Sequence, residues 1–534
     1  MRLDDLLKHK QFDLIWDTYC SFLDIDLNEY MHIQNRLMLE QLSLWSNCGL
    51  GQKLLHGQRP QTIADFRRML PLTDYTDYAD ILLKKNTAML PDEPVIWLET
   101  TWEGGKNPIK LAPYTRSMLD TYKDNLIGAL VLCTSREKGR FSLRSGDKTL
   151  YGFAPLPYAT GLFPLLLNEE INLKYLPSLE DGKDLSFSER NKRGFAQGMN
   201  NGIDLCFGMS SVVTAMTEAL MAKTAAGGKS GGSMLNKSAK MITRMIKAGY
   251  QSRVENRPIP PADLFKLKGF VCAGTDSACY KGFLAKYWGQ KPMEIAAGTE
   301  PTLIGTEDWQ RDGLTFFPDA CFYEFIPEGE MAKNYANPNY QPKTYLMNEL
   351  VADHNYELVI TVLKGGAFAR YRVGDVYRCI SAGKDSGSRH LPRFNFVDRV
   401  PQVIDIAGFT RITEQMIDEV IELSGLKIID FAATKEHDDM QRPYLHLYIE
   451  LDAEMMIQIA LSKKLLTEHL NAYFRYYDSD YNDLKRLLGV DPLEITILRN
   501  GTYAAYKQKH GDIAKINPSP YQILELLQMQ NMTK

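Results

Sequence analysis

The sequence predicts an α/β protein in which a large N-terminal domain of mixed β-sheets and helices is followed by a small α+β domain. Short apolar runs at 95–98, 270–272 and 293–295 are separated by helix-like segments. Strands that alternate with helices are typical of a mixed α/β core with parallel strands. From residue 399 onward the pattern changes to the order βαββαβ, which is the order of a compact α+β sandwich.

Residues 1–60 are predicted to form helices at the start of the large domain, because apolar residues recur there at spacings of three and four. A chain of 534 residues is too long for one ordinary core and favours roughly two to four domains. A stretch rich in Gly, Ser and charge at 381–389 precedes the last strand-like run before the small domain. We therefore expect a large domain at 1–398 and a small, mobile domain at 399–534.

Hydrophobic periodicity predicts each element of the small domain in turn. These elements are a strand at 403–406, a helix at 414–423, strands at 427–430 and 445–450, a helix at 456–474 and a strand at 493–497.

The composition excludes several classes of function. The net charge is −4, so a nucleic-acid partner is not expected. The 8 cysteines show no Cys-x-x-Cys spacing and the 9 histidines no His-x-x-x-His pair, so we expect buried thiols in a reducing compartment and no protein-only metal cage. The start of the chain lacks an apolar signal core and no long apolar span occurs, which favours a cytoplasmic protein with no membrane partner.

Two segments with glycine and lysine suggest phosphate binding. Residues 100–106 place hydroxyls, glycines and a lysine just after the strand-like run 95–98. The backbone N–H groups of such a loop and one positive charge can surround a phosphate, although a polar turn has the same composition. Gly-Lys-Ser at 228–230 lacks the first glycine of a nucleotide-binding loop and follows a helix, so it is predicted to be a surface linker.

Glu300 ends a loop of small residues, 296–300, after another short strand. Small residues allow a flat ring to approach the backbone. The carboxylate suits a divalent cation, because Mg²⁺ commonly uses one or two protein carboxylates together with phosphate oxygens. The alternative is a solvated glutamate in a loop.

The hexamer Arg370-Tyr371-Arg372-Val373-Gly374-Asp375 follows the strand-like run 356–362 and is expected to close on a Gly-Asp turn. An ionised Asp375 just past a strand end could accept both hydroxyls of a ribose, because it has acceptor atoms and no donor. For the isolated hexamer, a simple turn is the alternative.

Cationic residues in the C-terminal part of the chain are the last candidates for contacts with a ribose or a phosphate. Arg399 follows Asp398 at the junction of the predicted domains, where it could hold a ribose or a phosphate, and a surface ion pair is the alternative. One of Lys507, Lys509 and Lys515 could reach a phosphate that is being displaced, whereas the other two are expected to be solvated.

Taken in order, these segments resemble the adenylate-forming superfamily. They resemble more closely the acyl acid amido synthetases, the auxin-responsive family whose plant members conjugate auxin, jasmonate or benzoates to amino acids. The resemblance runs nearly the whole length and is carried by residues 63–73, Tyr78, 110–116, 298–300, 322–327, 371–376 and 394–399.

This resemblance implies a large adenylate-forming domain and a two-step ligase that uses ATP and Mg²⁺. A carboxylic acid would be joined to AMP, and the acyl group would then pass to an amine, expected to be an amino acid, with the small domain swinging between the steps. Regions 151–153, 158–163 and 206–216 would line the acyl pocket. By match to the family motifs, the residues implied for the phosphates are Thr100, Thr101, Gly104, Gly105 and Lys106, and those implied for the nucleotide are Ala297, Gly298 and Thr299. Glu300 would hold Mg²⁺ and serve catalysis, Asp375 would bind the ribose with Arg399 nearby, and Lys515 would be the catalytic lysine.

The chain departs from the family pattern in three places. The ending Ala514-Lys515-Ile516-Asn517-Pro518 differs from the family's usual Lys-x-Pro-Arg. Thr101, Trp102 and Glu103 interrupt the expected Ser-Gly-Thr-Thr/Ser-Gly, and Ala296 stands where a tyrosine normally packs on the adenine. Two alternatives therefore stay open. One is a ligase that transfers the acyl group to coenzyme A or another thiol, and the other is a non-catalytic protein that binds nucleotide or acyl ligands. The oligomeric state, monomer or homodimer, is also open.

Overall fold

The computed structural model describes residues 1–101, 109–225, 237–275, 277–383, 389–400, 402–407, 410–439, 441–453, 459–477 and 492–532. Within these residues the chain folds as two compact units. The first unit comprises Met1–Thr100, Ile109–Ala273 and Lys281–Asp398, and the described residues from Arg399 onward form most of the second.

The first unit begins with helices, which confirms the prediction for residues 1–60. They are α1 (Leu3–Lys8), α2 (Phe12–Tyr19), α3 (Leu27–Asn47), α4 (Gly49–Leu54), α5 (Ile63–Met69) and α6 (Ala79–Leu82). Asp26 caps α3 by accepting a hydrogen bond from the backbone N–H of Glu29 at 2.8 Å. Buried Gln41 ties α3 to the rest of the unit, because its amide donates to Gly366 O at 2.9 Å and accepts from Gly365 N at 2.8 Å.

Strands and helices then alternate, as the sequence predicts. The elements are β1 (Pro94–Thr101), β2 (Ile109–Thr115), α7 (Arg116–Cys133), β3 (Ser135–Glu137), β4 (Arg140–Phe141), β5 (Lys148–Gly152), α8 (Leu162–Glu170), β6 (Lys174–Leu176), α9 (Phe187–Asn201), β7 (Leu205–Met209), α10 (Ser210–Ala225), α11 (Ala239–Val254), α12 (Pro261–Leu264), β8 (Gly269–Ala273), α13 (Ser277–Trp288), β9 (Met293–Gly298), β10 (Thr302–Glu307), β11 (Leu314–Phe316), β12 (Cys321–Pro327), α14 (Glu328–Ala336), β13 (His354–Val362), β14 (Tyr371–Ser381) and β15 (Arg393–Arg399).

Eleven of the described strands form a mixed sheet in the order β12-β13-β14-β15-β11-β10-β9-β8-β7-β5-β6. The stretch from β6 to β9 is parallel, which confirms the predicted parallel core and the strands at 270–272 and 293–295. The strand at 95–98 exists within β1, but β1 pairs with β2 in a separate 2-stranded sheet. Local periodicity predicts a strand without predicting its partner, because the partner is distant in sequence.

The hexamer at 370–375 does not close on a turn past a strand end, so that prediction was wrong. It opens the long strand β14, and Asp375 lies inside this strand. In the pairing of β13 with β14, Glu357 lies opposite Val376 and Val359 lies opposite Arg372. Residues 373–375 of β14 therefore face the single residue Leu358 of β13 and form a β-bulge. Gly374 has φ +82° there, a conformation that favours glycine.

Within the described residues, the second unit contains the predicted βαββαβ elements together with one further short strand and two further helices. They are β16 (Ile404–Ile406), β17 (Thr410–Ile412), α15 (Glu414–Ser424), β18 (Ile428–His437), β19 (Pro443–Leu451), α16 (Ile459–Tyr477), β20 (Leu493–Leu498), α17 (Thr502–His510) and α18 (Pro520–Met532). β18 and β19 are antiparallel, and β19 and β20 are parallel. Tyr503, Tyr506, Leu526 and Met529 of the last two helices join the buried cluster over this sheet.

All 8 cysteines are free thiols, and 7 of them are buried, but Cys279 is exposed, contrary to the expectation of buried thiols throughout. In the part of the chain that the structure describes, helices fall short of the length and apolarity needed to cross a membrane.

Candidate active site

The candidate site lies at the carboxyl edge of the parallel strands. β9 ends at Gly298, and Thr299 and Glu300 follow it directly. Both are buried, although polar residues after a strand normally face solvent. In parallel sheets the crevice outside the carboxyl ends of the strands is where ligands bind. The position of Glu300 is therefore one at which a buried carboxylate can serve a ligand.

Two side chains from distant parts of the first unit, Lys110 and Tyr371, meet at Glu300. We refer to these three residues as the Glu300 cluster. Glu300 Oε1 accepts a hydrogen bond from Tyr371 Oη at 2.9 Å and lies 3.3 Å from Lys110 Nζ. The ammonium group of Lys110 lies 3.4 Å from the same tyrosine oxygen. Charge-assisted contacts of this kind fix the rotamer of a carboxylate.

Tyrosines hold the surroundings of the cluster in place. Tyr75 Oη accepts a hydrogen bond from Leu111 N at 2.6 Å, and the Tyr75 ring lies 5.8 Å from Lys110 Nζ. Burial raises the pKa of Tyr75 to about 12, and the nearby carboxylate of Glu300 adds to the effect. Tyr114 Oη donates to Thr299 O at 2.7 Å. Both phenols stay protonated at neutral pH and act as fixed hydrogen-bonding groups.

Sequence-based reasoning assigned no role to Lys110 or Tyr371. A signal for Lys110 was present, because it stands between Ile109 and Leu111 in a strand whose following residues are apolar. A lysine in such a strand that is buried needs a carboxylate partner. The identity of that partner, 190 residues away, could not be read from local pattern.

The two arginines of the hexamer have structural roles. Arg370 is buried and donates to both oxygens of Glu324 at 3.1 Å. Arg372 makes a bidentate ion pair with Glu357, with both N–O distances 2.7 Å. Together they bind β14 to β12 and β13 and position the bulge. Asp375, which projects from the bulge, is half-buried.

The predicted phosphate-loop residues are only partly described. Thr100 lies half-buried near the end of β1, and Thr101 is its last residue. The side chain of Thr101 and all of Gly104, Gly105 and Lys106 lie outside the described residues.

The other predicted nucleotide contacts are placed at strand ends. Ala297 and Gly298 end β9, with Ala297 exposed and Gly298 half-buried. Arg399 ends β15 and is half-buried. The structure thus brings Thr299 and Glu300 together with Lys110 and Tyr371.

Lys515 belongs to the second unit, where its ammonium group contacts the carboxylate of Asp430. It also lies 4.7 Å from the centre of the Phe431 ring. Backbone hydrogen bonds attach the segment to β18, with Ala433 N donating to Lys515 O at 2.7 Å. Lys507 and Lys509 are exposed on α17. Of the three lysines, Lys515 alone has a defined, partly buried environment.

The residues present can hold a magnesium ion only if phosphate oxygens supply the remaining ligands of its coordination shell. No group of three His, Cys, Asp or Glu side chains within the described ranges could hold a metal ion. Glu300 supplies one hard carboxylate at the carboxyl edge of the sheet, and Mg²⁺ in phosphate-handling sites commonly uses only one or two.

Two segments of the chain match the domains of a known protein family. Residues 314–399 match the GH3 family central domain, and residues 411–515 match the GH3 family C-terminal domain. The first match contains the hexamer with Asp375, and the second extends to Lys515.

Two curated relatives are similar over part of the chain. A jasmonoyl–L-amino acid synthetase, GH3.5 of Oryza sativa subsp. japonica, is 26% identical over 240 residues, which cover 41% of this chain and 39% of that protein. A probable indole-3-acetic acid-amido synthetase, GH3.1 of Arabidopsis thaliana, is 26% identical over 202 residues, which cover 35% and 30%. The chain thus spans less than half the length of these two relatives.

Two solved structures share the fold. The acyl acid amido synthetase AtGH3.15 in complex with 2,4-DB has a TM-score of 0.53 at 15% identity, covering 97% of this chain and 95% of that one. A 2-hydroxyisobutyryl-CoA ligase in complex with 2-HIB-AMP and CoA has a TM-score of 0.56 at 14% identity, covering 89% and 88%. The chain thus shares the fold of these two ligases over most of its length, and two of its segments match the central and C-terminal domains of the GH3 family in order.

Proposed function

We propose that the protein is an ATP-dependent acyl acid amido synthetase, which activates a carboxylic acid as its adenylate and transfers the acyl group to the amine of an amino acid. The observation that carries the proposal is the Glu300 cluster, a buried carboxylate held at the carboxyl edge of the sheet by Lys110 and Tyr371. The matches of residues 314–399 and 411–515 to the two GH3 family domains support it independently.

The first step requires positioning and charge more than covalent help from the protein. A carboxylate oxygen of the acid attacks the α-phosphorus of ATP in line, the bond to the bridging oxygen breaks, and pyrophosphate leaves. Lys110 supplies a fixed positive charge beside Glu300. Tyr371 holds the carboxylate in one rotamer, so little reorganisation is needed when charge develops on the phosphates.

Glu300 is the residue that would hold Mg²⁺, together with phosphate oxygens of the nucleotide. When bound, Mg²⁺ neutralises negative charge on those oxygens. Lys110 and Tyr371 both contact the Oε1 atom of the Glu300 carboxylate and so fix its orientation.

The remaining predicted residues receive roles by position and by match to the family motifs. Asp375 and Arg399 bind the ribose, and Lys515 contacts the phosphate that is displaced. The backbone and side chains proposed to surround the nucleotide and its phosphates are those of Thr100, Thr101, Gly104, Gly105, Lys106, Ala297, Gly298 and Thr299. In the second step the amine nitrogen attacks the acyl carbon, AMP leaves, and the amine loses a proton. We place this reaction in the cytoplasm.

The test is hydroxylamine trapping with MgATP and a panel of carboxylic acids, measured as pyrophosphate release. We expect release with at least one acid, and a loss of about 100-fold or more in Glu300→Gln, because removal of one preorganised charge typically costs that much. Glu180→Gln, at an exposed position of the same unit, serves as the matched control. Absence of release with every acid, together with absence of an ATP-dependent thermal shift, would contradict the proposal.

The acceptor is tested separately, because one of the two structural neighbours is a CoA ligase. The adenylate formed from the best acid is offered either free amino acids or coenzyme A. We expect amide formation and release of AMP with an amino acid. Formation of a thioester without any amide would move the protein to the alternative class.

A further inference from the structure

Arg190 is a buried cation of α9 that faces the parallel sheet. Only 9% of the surface of Arg190 is exposed to solvent. Arg190, Asn191, Gly194 and Gly198 of this helix are buried against β5, β6 and their ends, and Ser188 is also buried. An arginine in such a stripe normally has an anion beside it, because a buried, unpaired charge is strongly destabilising.

Within the described part of the chain Arg190 has no carboxylate partner. Its Nη2 donates to the carbonyl oxygen of Phe153 at 2.5 Å, and its guanidinium lies 5.9 Å from the centre of the Phe187 ring. Its Nε has no hydrogen-bond acceptor among the described residues. Burial lowers the pKa of Arg190, as expected where a desolvated cation has only a tyrosine nearby. By contrast, buried Arg370 is fully paired with Glu324.

Two buried hydroxyls, one on α9 and one on the strand β6 against which α9 packs, also lack partners among the described residues. They are Ser188 Oγ on the same helix and Tyr175 Oη on β6. The ring of Tyr151, which interacts electrostatically with Arg190, lies 6.0 Å from the ring of Tyr175. Buried polar groups in folded proteins are nearly always satisfied. The Nε–H group of Arg190 and two hydroxyls without acceptors therefore point to a ligand that brings acceptors.

The position of Arg190 relates it to the Glu300 cluster. Its backbone partner, Phe153, comes directly after the carboxyl end of β5, and Glu300 comes after the carboxyl end of β9. Both ends lie on the same edge of one parallel sheet in the order β5-β7-β8-β9. Three strand spacings separate them across the sheet, roughly 14 Å. A molecule that reacts beside Glu300 must therefore be extended to reach Arg190.

We propose that the acyl substrate is an extended acid with a second oxyanion at its far end, of the dicarboxylic acid class, and that Arg190 binds this distal group with help from Tyr175 and Ser188. The inference rests on the proposed adenylation at Glu300. Arg190 acts as a specificity residue: it is too far from the reacting atoms to take part in the chemistry. A distal carboxylate would supply the acceptors that Nε and the two hydroxyls lack.

The test compares matched pairs of acids in pyrophosphate release with MgATP: octanoate with suberate, and phenylacetate with 4-carboxyphenylacetate. In the natural sequence we expect the diacid of each pair to have a KM at least about tenfold lower, since a hydrogen bond between charged groups contributes that much or more. Arg190→Met should remove this preference by raising KM for the diacids while kcat changes little. Tyr175→Phe and Ser188→Ala should each raise the diacid KM by about fivefold.

Arg193→Met is the matched control, because Arg193 lies on the same helix and is exposed. Tyr175→Phe and Ser188→Ala remove hydroxyls that have no internal partner among the described residues, so they should leave the fold intact even if Arg190→Met does not. Equal or better use of the monoacids by the natural sequence would overturn the inference, and so would an unchanged diacid preference in Arg190→Met or in both hydroxyl variants.

A binding measurement separates this inference from the proposed function. Suberate alone should raise the melting temperature of the natural protein but not that of Arg190→Met or Tyr175→Phe. If no acid supports pyrophosphate release while this shift is present and variant-dependent, the adenylation proposal fails and the Arg190 site stands. If monoacids are adenylated and suberate neither binds nor reacts, adenylation stands and the Arg190 site fails.

Discussion

Tyr371 donates a hydrogen bond to Glu300, with 2.9 Å between Tyr371 Oη and Glu300 Oε1. Tyr371 is the first residue of β14, the strand that carries Asp375, and Glu300 follows β9. The contact therefore joins the proposed ribose-binding strand to the proposed metal-binding loop. Lys110 contacts both groups and brings β2 into the same site.

Tyr371→Phe should reduce adenylation by about tenfold to a hundredfold, because groups that orient a metal-binding carboxylate typically matter to that extent. The phenol acts through Glu300, so kcat should fall and the apparent affinity for Mg²⁺ should weaken. Pyrophosphate release titrated with Mg²⁺ measures both. Tyr250→Phe, at a position 70% exposed, is the control. An unchanged Mg²⁺ dependence would mean that the contact only stabilises the fold.

Asp375→Asn should raise KM for ATP by about tenfold or more while the protein remains folded, because the variant replaces an all-acceptor group with one that also donates. The ribose assignment predicts non-additivity: 2′-deoxy-ATP or 3′-deoxy-ATP should be poor for the natural protein and hardly worse for the variant. Steady-state kinetics with the three nucleotides measures this. The control is Asp353→Asn, an exposed change before β13. If the loss caused by Asp375→Asn and the loss caused by removing a ribose hydroxyl were fully additive, Asp375 would not contact the ribose.

Lys515→Ala should reduce adenylation by orders of magnitude, because it removes a positive charge proposed to act on the displaced phosphate. Lys507→Ala and Lys509→Ala change exposed lysines of α17 and should have little effect. Single-turnover formation of the adenylate separates this step from acyl transfer. A larger loss in either α17 variant than in Lys515→Ala would move the catalytic assignment to that lysine.

Glu324 should contribute to the acid sensitivity of the fold. Burial would raise its pKa, but the guanidinium groups of Arg370 and Arg67 outweigh burial and hold the pKa below its ordinary value. A carboxyl group with a lowered pKa in the folded state stabilises above the pKa of the unfolded chain, about 4.3. This stabilisation is lost as the pH falls through the lower value of the folded state.

Glu324→Gln should therefore destabilise the protein by about 3–5 kcal/mol at pH 7, because it leaves Arg370 buried without an anion. The difference from the natural sequence should shrink as the pH approaches 3. Urea unfolding at several pH values measures it, with Asp80→Asn as a control that removes an exposed ion pair with Lys53. A difference that does not depend on pH would show that the ion pair is not the cause.

Several features of the fold could be predicted from sequence because their signals are local. Spacings of three and four identified the N-terminal helices, and short apolar runs identified β8 and β9 within the parallel core. The order of elements in the second unit followed from the same periodicities. These patterns depend on residues that are close together in the sequence, so they can be recognised without knowing which distant residues are in contact.

Pairing between distant residues escaped the same reasoning. β1 has a clear strand pattern, yet it joins β2 and not the large sheet. The Gly374–Asp375 step has the composition of a turn, yet it forms a bulge because β14 continues to pair with β13 on both sides of it. Local propensity determines which backbone conformations have a low free energy for a given residue, and pairing with a distant strand selects one of them.

The sequence by itself determined the family resemblance, the order of the motif-like segments and the identity of Glu300, Asp375 and Lys515 as residues to test. Only the tertiary structure decided that Lys110 and Tyr371 hold Glu300, and that Arg190 lies buried with no carboxylate partner among the described residues. The physical reason is that hydrogen bonds and ion pairs act over a few ångströms. Residues 190 positions apart in the chain reach that distance only through folding.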